Sequence, residues 1–313
     1  MASIEVRPLT DEHPFGARIR GVTHESLRDE AIRQQIRDVF EDRGMIVFEE
    51  IEASDELQIE LSSVFGPARE YAIKGGPSID EENMPGVIDI AADAGKATMY
   101  DFDGEIVAGW LNWHFDACYT NELNRGGVLR LTVITPERGF TGFADGIQIY
   151  NALSPEWRAR AEGLNVIYHE SLMFDRQRFG VPANARIVSL QKEAEVLIAN
   201  AAGKRRSIHP AVWQRQTGEK VLHLAPWQAM AIEGQENARG DALFTALWDE
   251  VLARMQPYWH QWRPDQMAIW DNWRFLHSVS GHDPKYPRAA RRTTIAGDYG
   301  LGRFEGDPVR ERA

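Results

Sequence analysis

The sequence predicts an α+β fold with a β-rich barrel or sandwich core. Helical patterns gather in the first 70 residues and in later insertions, where apolar residues recur at helical spacing. Strand patterns dominate the centre and the end of the chain, where short runs are rich in β-branched and aromatic residues. This separation of helices from strands is typical of the α+β class.

The N-terminal part begins with a predicted strand at residues 4–8 and a predicted helix at residues 26–43, which Gly44 ends. Residues 45–48 have the continuous apolar pattern of a buried strand. A second helix is predicted at about residues 54–65, before a Gly-Pro pair that stops it.

Two later segments lack regular periodicity. Residues 75–109 are rich in Gly, Asp and Ala, and we expect a long loop there that covers a site. Residues 170–206 are charged and irregular, which indicates an insertion. The remaining predicted elements are strands at residues 111–120, 128–135, 220–225, 266–270 and 292–296, a helix that starts at Ser154 and a helix at about 237–255.

A single domain spanning residues 1–313 is expected, with a helical part at about residues 1–70. The sequence contains no repeat, low-complexity tract or Gly/Ser linker that would mark a domain boundary. All-β barrels often reach about 250 residues as one domain, so the length does not require two.

Composition and charge exclude several classes of protein. The chain has 35 Lys and Arg against 47 Asp and Glu, a formal charge of −12, so it lacks the basic surface of a nucleic-acid binder and small ligands are expected. No apolar run is long enough to span a membrane, and the N-terminus lacks the apolar core of a signal peptide. A cytoplasmic location is therefore expected, and the lone Cys118 fits a reducing compartment. The N-terminal helices are candidates for a homo-oligomer contact.

A metal centre is the first chemical hypothesis. His114 and Asp116 lie two residues apart in a predicted strand, so their side chains face the same point. An imidazole, a carboxylate and a second imidazole form the facial triad that holds Fe(II) and leaves positions open for substrate and oxygen. Nine His and 47 acidic residues produce about one His-x-acid pair by chance. The pair alone therefore also fits a position without a metal.

The C-terminal stretch supplies the missing parts of such a centre. His277 is the candidate third ligand, and Arg288, Arg291 and Arg292 follow it. Fe(II) and one Asp carry a net positive charge, a bound dianionic 2-oxo acid makes the sum negative, and one buried Arg restores neutrality, which a dry pocket requires. The planar guanidinium also grips a carboxylate with two bonds. The spacing fits a solvated basic face equally well.

Several segments, in order, resemble the taurine dioxygenase and 2,4-dichlorophenoxyacetate dioxygenase family of Fe(II)/2-oxoglutarate-dependent oxygenases. They include GARIRGVTHESLRDE near the start, WHFD in the centre, RGFTGFADGIQIYNALS, SIHPAVWQRQTGEKVLHL, and RPDQMAIWDNWRFLH followed by RAARRTTIAGD. The resemblance covers most of the chain. It implies a double-stranded β-helix, a jelly roll of the clavaminate synthase type, with flanking helices and an insertion between the two ligand strands.

The resemblance also implies roles for single residues. His114, Asp116 and His277 match the family's iron ligands. Thr141 and Arg288 match the residues that bind the distal carboxylate of 2-oxoglutarate, the co-substrate used together with O2. No further catalytic residue is implied beyond the metal site.

Substrate contacts are implied at Arg292, which matches an Arg that holds an acidic group, and at Trp270, which matches an aromatic residue near the iron. Taurine enzymes use a His and a Tyr after their Phe-Gly pair, whereas this chain reads PAREYAIKGG, in which only Tyr71 is a loose counterpart. A further departure is Trp273, inserted where many members have Arg directly after Trp-Asp-Asn. An aromatic-lined cavity is expected from the tryptophans, namely Trp110, Trp113, Trp227, Trp270 and Trp273.

The implied activity is hydroxylation of an anionic organic acid, aromatic or medium-sized, or its oxidative cleavage through hydroxylation, with release of succinate and CO2. Three alternatives stay open: an inactive jelly-roll binding protein, a taurine-like sulfonate dioxygenase, and a cupin-like oxygenase that uses the triad without a 2-oxo acid. A serine hydrolase is disfavoured because G-x-S-x-G is absent from the sequence. YGLGRFEG lacks the third Gly of the dinucleotide pattern.

Overall fold

The computed structural model describes residues 3–69, 87–92, 97–173, 177–192 and 194–310. Within these ranges the α-helices are α1 (Glu30–Arg43), α2 (Asp55–Ser62), α3 (Gly146–Ala152), α4 (Pro155–Ala161), α5 (Ala194–Ala201) and α6 (Ala238–Arg254). The strands are β1 (Glu5–Pro8), β2 (Ala17–Arg20), β3 (Met45–Glu49), β4 (Val87–Ala91), β5 (Met99–Phe102), β6 (Glu105–His114), β7 (Gly126–Val133), β8 (Thr141–Asp145), β9 (Asn165–Tyr168), β10 (Ala185–Ser189), β11 (Ser207–Pro210), β12 (Val212–Gln214), β13 (Lys220–Leu222), β14 (Ala229–Ile232), β15 (Tyr258–His260), β16 (Gln266–Asp271), β17 (Phe275–His282), β18 (Ala289–Ile295) and β19 (Arg303–Phe304). Among the helices described, none combines the length and the apolar character that crossing a bilayer requires.

Two antiparallel-rich sheets form the core. The larger has seven strands in the order β1-β2-β3-β16-β7-β18-β4, and the smaller has six in the order β10-β5-β6-β17-β8-β15. One apolar cluster joins them, with Leu129, Leu131, Trp270 and Ala290 from the larger sheet and Phe143 and Phe275 from the smaller. The two sheets thus pack as a sandwich, which confirms the α+β fold and the jelly roll that the family resemblance implies.

Helices α1 and α2 cover the outer face of the larger sheet. Because side chains alternate along a strand, Ile46 and Phe48 of β3 contact the helices, while Met45 and Val47 contact the core between the sheets. Strand β3 is therefore buried on both faces, which explains the continuous apolar pattern from which it was predicted.

The first helix begins later than the sequence indicated. Residues Ser26–Arg28 form a single 3-10 turn, and α1 starts at Glu30 with the side chain of Asp29 accepting a hydrogen bond from the Ala31 amide. An Asp is more favourable at this cap than inside a helix because it bonds the free amides of the first turn. The predicted end is confirmed, since Gly44 adopts a φ of 74°, which a residue with a side chain rarely does.

The predicted loop at residues 75–109 is wrong for its described part. Strands β4 and β5 and the start of β6 lie there. Asp103 and Gly104, with φ values of 54° and 93°, form the two-residue turn between β5 and β6, and an Asp-Gly pair is a strong hairpin signal. The periodicity is weak because these strands are only partly buried. Residues 75–86 and 93–96 lie outside the described residues, and the covering role stays a prediction.

The predicted insertion at residues 170–206 contains regular structure. Glu170–Met173 form a 3-10 turn, and the segment continues into β10 and α5. β10 pairs with β5 and extends the smaller sheet at one edge. The strand is mostly exposed, which explains why its sequence shows little strand pattern.

Helix α2 is attached to the larger sheet by a partly buried polar contact. The two carboxylate oxygens of Asp55, in the first turn, accept hydrogen bonds from Arg130 of β7 and Arg291 of β18. Burial opposes ionisation of Asp55, but the hydrogen bonds from Arg291 and Arg130 outweigh it, so the pKa of this carboxyl lies below its ordinary value. The ion pairs thus contribute stability only where Asp55 is ionised.

We expect Asp55→Asn to lower the free energy of unfolding at pH 7 by about 1–3 kcal/mol, because both guanidinium partners lose a charged acceptor. The native pKa is depressed, so the difference from the parent protein should shrink as the pH falls below the ordinary Asp range. Urea unfolding at pH 7 and at pH 3 measures this. Asp38→Asn, at an exposed position of α1, is the control; an equal loss at both pH values would contradict the expectation.

Candidate metal centre

Strand pairing brings two distant histidines together. β6 and β17 are antiparallel neighbours, and His277 is the register partner of His114, with the ring centroids 4.0 Å apart. Asp116 follows β6 by two residues, and its Oδ1 lies 3.7 Å from His277 Nε2. One ligand atom from each of the three residues lies within 4.8 Å of the others. The structure therefore assembles the three predicted ligands into one cluster.

The donor atoms fit a divalent metal ion. The His114 Nδ1 lies 2.7 Å from the Asn112 carbonyl oxygen. Because a carbonyl only accepts, Nδ1 carries the proton and Nε2 offers its lone pair. Within the described part of the chain, Asp116 Oδ2 and His277 Nδ1 are buried with no hydrogen-bond partner. Two imidazoles and one carboxylate are the ligands of a facial Fe(II) triad. Atoms that bind one ion at about 2.1 Å lie about 3 Å from one another. Side-chain movements of about 1 Å would therefore bring the three ligand atoms, now within 4.8 Å of one another, to metal-binding distances.

Charge favours the metal-binding protonation states. Burial lowers the pKa of His114 and holds that of His277 well below its ordinary value. Burial opposes ionisation of Asp116, but the charge and the hydrogen bond of Arg292 favour it, and the pKa of this carboxyl is lowered to about 2. The Arg292 Nη1 donates to Asp116 Oδ1 at 2.7 Å. At neutral pH the cluster is two neutral imidazoles and one carboxylate, ready to bind a dication.

Arg288 and Thr141 form a second set of buried polar residues, and Thr141 lies on β8, the strand that pairs with β17. Arg288 is buried, and its Nε donates to the Gly139 carbonyl oxygen at 3.2 Å. Burial alone lowers its pKa to about 10, and the described residues place no carboxylate within ion-pairing distance of it. Thr141, the first residue of β8, is buried, and its Oγ1 accepts from Trp262 Nε1 at 3.0 Å. A buried, uncompensated guanidinium is costly unless a ligand anion pairs with it.

Strand alternation separates the three C-terminal arginines. Arg288, which immediately precedes β18, and Arg292 within it are four residues apart, which directs both side chains to the same side. Arg291 faces the opposite side, where it bonds Asp55 of α2. The solvated basic face that the spacing also allowed is therefore not what the structure shows, because two of the three side chains are directed to the interior and the third holds a helix.

The tryptophans divide into two groups. The ring of Trp270 lies 4.8 Å from that of His277, and the ring of Trp227 lies 4.6 Å from that of His114. Trp113 is directed to the face of β6 opposite His114, where its ring centroid lies 5.5 Å from that of Trp259, and its substrate contact stays a prediction. Trp110 and Trp273 contact other aromatic rings, Tyr100 and Tyr299 respectively. Tyr71 lies outside the described residues.

The displaced arginine of the Trp-Asp-Asn segment keeps a structural role. Arg274 Nε and Nη2 donate to the two oxygens of Asp145 at 2.8 and 2.7 Å, and Nη1 donates to the Asp42 carbonyl oxygen at 2.9 Å. Trp273 lies against Arg125. The inserted residue is accommodated because the segment leaves β16 and turns before β17 begins.

Sequence reasoning missed three residues that shape the site. Trp262 bonds Thr141, and Asn112 sets the tautomer of His114. Asn272 hydrogen-bonds the backbone of Asp116. A signal existed only for Asn272, which stands in the Trp-Asp-Asn segment; the other two roles depend on contacts between distant strands.

Comparison with known proteins agrees with this geometry. The model of the taurine catabolism dioxygenase TauD, TfdA family matches residues 5–294. An (S)-phenoxypropionate/alpha-ketoglutarate-dioxygenase of Sphingobium herbicidovorans is 28% identical over 95% of this chain and 96% of its own. An alpha-ketoglutarate-dependent 2,4-dichlorophenoxyacetate dioxygenase of Cupriavidus pinatubonensis is 25% identical over 95% and 99%.

A solved structure has the same fold. It is described as a putative alpha-ketoglutarate-dependent taurine dioxygenase from Burkholderia xenovorans, with a TM-score of 0.70, 23% identity, and coverage of 98% of this chain and 97% of that one. The family model spans nearly all of the chain, including both ligand strands. The chain belongs to the taurine catabolism dioxygenase TauD, TfdA family and is a dioxygenase that depends on Fe(II), 2-oxoglutarate and O2.

Proposed function

We propose that this chain hydroxylates an anionic organic acid, aromatic or medium-sized, at a ferrous ion held by His114, Asp116 and His277. The observation that carries the proposal is the buried cluster of these three side chains on and beside two paired strands. When bound, Fe(II) and 2-oxoglutarate supply the oxidising chemistry: one atom of O2 enters a C–H bond of the substrate, and the other enters succinate as CO2 is released. Where the hydroxylated carbon also carries an ether or ester oxygen, the product breaks down at that carbon–oxygen bond, and hydroxylation then cleaves the substrate.

The co-substrate site is proposed at Arg288 and Thr141. The distal carboxylate of 2-oxoglutarate would pair with the buried guanidinium of Arg288, whose charge has no acidic partner among the described residues. The Thr141 hydroxyl accepts from Trp262, which leaves its own proton to donate to the same carboxylate. A single carboxylate thus satisfies both groups.

The protein's own residues prepare the reaction. Arg292 keeps Asp116 ionised, and the Asn112 carbonyl keeps the metal-binding nitrogen of His114 unprotonated. The rings of Trp227 and Trp270 cover His114 and His277 and exclude water from them. These contacts hold the ligands in position before the substrate arrives.

The substrate class is supported by two features. Arg292 is beside the metal cluster and is suited to an acidic group. Trp227 adds an apolar surface next to His114, which favours an aromatic or aliphatic body over a small polar molecule. Two relatives that match over 95% of this chain are named for phenoxypropionate and 2,4-dichlorophenoxyacetate, which are aryloxy acids.

A sulfonate or sulfate ester is the second candidate. The family description names taurine, and a Pseudomonas putida relative, 24% identical over 61% of this chain, is named an alpha-ketoglutarate-dependent sulfate ester dioxygenase. An Arg at position 292 would bind sulfonate oxygens as well as carboxylate oxygens. Against this candidate, the taurine enzymes' His after the Phe-Gly pair has no counterpart here.

Succinate release over a panel of compounds tests the substrate class. The panel contains aryloxyacetates, both enantiomers of aryloxypropionates, medium-chain carboxylates, alkyl sulfates and taurine, each with Fe(II), 2-oxoglutarate and O2. The highest kcat/KM is expected for an aryloxy or medium-chain carboxylate. If taurine or an alkyl sulfate is turned over fastest, the sulfonate or sulfate ester class replaces the carboxylic acids as the proposed substrate. Absence of succinate release with every compound would place the substrate outside all of these classes and overturn the proposed one.

The metal assignment predicts a spectroscopic signal. Under anaerobic conditions, Fe(II) plus 2-oxoglutarate should produce a weak visible charge-transfer absorption, because the co-substrate would bind directly to an ion held by His114, Asp116 and His277. His114→Ala should abolish this absorption. His24→Ala, at a half-exposed His that pairs with Glu60, should leave it intact. An unchanged spectrum in His114→Ala would remove His114 from the metal site.

Arg288→Ala should raise the KM for 2-oxoglutarate about 10- to 100-fold, since one or two charged hydrogen bonds are lost. Arg288→Lys should recover part of the affinity because the charge remains. Arg291→Ala is the matched control: it removes an arginine three residues away that is directed to α2 instead. A KM for 2-oxoglutarate that does not respond to Arg288→Ala would place the distal carboxylate of the co-substrate at another residue.

A further inference from the structure

The aspartate of the cluster is held differently from the two histidines. His114 and His277 lie within β6 and β17, where strand pairing fixes their backbones. Asp116 comes after β6 has ended. The next residue, Ala117, has a φ of 60°, in the left-handed region that residues with a side chain rarely adopt. The sheet therefore does not fix the position of the Asp116 carboxylate.

A buried amide takes the place of a neighbouring strand. The Asp116 amide donates to Asn272 Oδ1 at 2.7 Å, and Asn272 Nδ2 donates to the Asp116 carbonyl oxygen at 3.0 Å. One side chain thus satisfies both backbone groups of Asp116, as a facing residue does in an antiparallel ladder. Asn272 is fully buried, and its Nδ2 also reaches Asn124 at 3.2 Å.

A histidine outside the metal cluster fixes this arrangement from the other side. His223 Nε2 lies 2.9 Å from the Asn272 carbonyl oxygen, which can only accept, so Nε2 carries the proton. The His223 ring stacks on Phe115, with centroids 3.7 Å apart and an interplanar angle of 18°. His223 therefore contacts both Phe115, which lies between His114 and Asp116, and Asn272, which bonds the Asp116 backbone.

We infer that Asn272 and His223 are positioning residues of the metal centre, which hold the Phe115-Asp116 backbone so that the Asp116 carboxylate meets the two imidazoles. The inference rests on the proposed role of Asp116 as a ligand. Neither residue touches the metal or substrate; each acts through the backbone next to Asp116. Without the Asn272 amide, two buried backbone groups of Asp116 lose their partner, and the left-handed turn at Ala117 loses its support.

The inference is tested by equilibrium binding of Mn(II), with free Mn(II) measured by electron paramagnetic resonance, so that turnover is not needed. Asn272→Ala should weaken binding about 10- to 100-fold, the range found when residues that orient metal ligands are removed. His223→Phe keeps the ring stacked on Phe115 but removes the donor, and a smaller loss is expected. His223→Gln, which keeps an N–H donor, should bind more tightly than His223→Phe.

Gln58→Ala is the control for general loss of stability. Gln58 is also fully buried and bonds two backbone carbonyls, but it belongs to α2 and meets the outer face of the larger sheet. Its Mn(II) affinity should equal that of the parent even where its melting temperature falls.

The outcomes separate this inference from the proposed function. Mn(II) binding that is equally weak in the parent and in Asp116→Ala would overturn both. Binding lost in Asp116→Ala but retained at parental affinity in Asn272→Ala and His223→Phe would overturn the positioning role alone. If Asn272→Ala does not fold, the comparison of His223→Phe with the parent decides in the same way.

Discussion

The antiparallel pairing of β6 with β17 is the constraint on which the site depends. It sets His114 opposite His277 in the register, and a shift of one residue in either strand would turn one imidazole to the opposite face. The register is maintained because β8 pairs with β17 on its other side and because the ends of β6 and β17 that carry the two histidines are buried. The pairing of the two imidazoles is thus a consequence of sheet formation, whereas Asp116 lies beyond the end of β6 and its backbone is hydrogen-bonded by the Asn272 side chain.

Charge distribution along β18 is a second consequence of strand geometry. Residues at even positions carry the two guanidinium groups directed to the interior, Arg288 beside Gly139 and Arg292 beside Asp116. An odd position carries Arg291, which binds α2 from the outer face. One short strand and the residue before it therefore carry the proposed partner of the co-substrate, the ion pair with a candidate metal ligand and the attachment of a helix. Burial of the Arg292 guanidinium is tolerated because it pairs with Asp116. Burial of the Arg288 guanidinium would be compensated by the carboxylate of the proposed co-substrate.

The sequence predicted most of the fold and the chemical core of the site, for physical reasons that differ between elements. Buried strands such as β3 and β16 and capped helices such as α1 and α6 have strong local patterns. The β5–β6 hairpin was missed because its residues are half-exposed and only the Asp-Gly turn marks it. The orientation of Trp113 and the contacts of Trp262 and His223 depend on pairing between distant segments, which periodicity does not encode.

Residues of the site that lie on or beside paired strands are positioned by the fold more directly than residues on connecting segments. The candidate ligands and Arg288 belong to the paired strands or lie next to them, so any chain with this sandwich can present the same reactive groups. Trp227 precedes β14 in a connecting segment, and the predicted covering loop lies largely at residues outside the described ranges. Relatives that share the framework at 23–28% identity are named for aryloxy acids and for sulfate compounds. Changes to side chains on connecting segments leave the sheet register, and with it the pairing of the two imidazoles, intact.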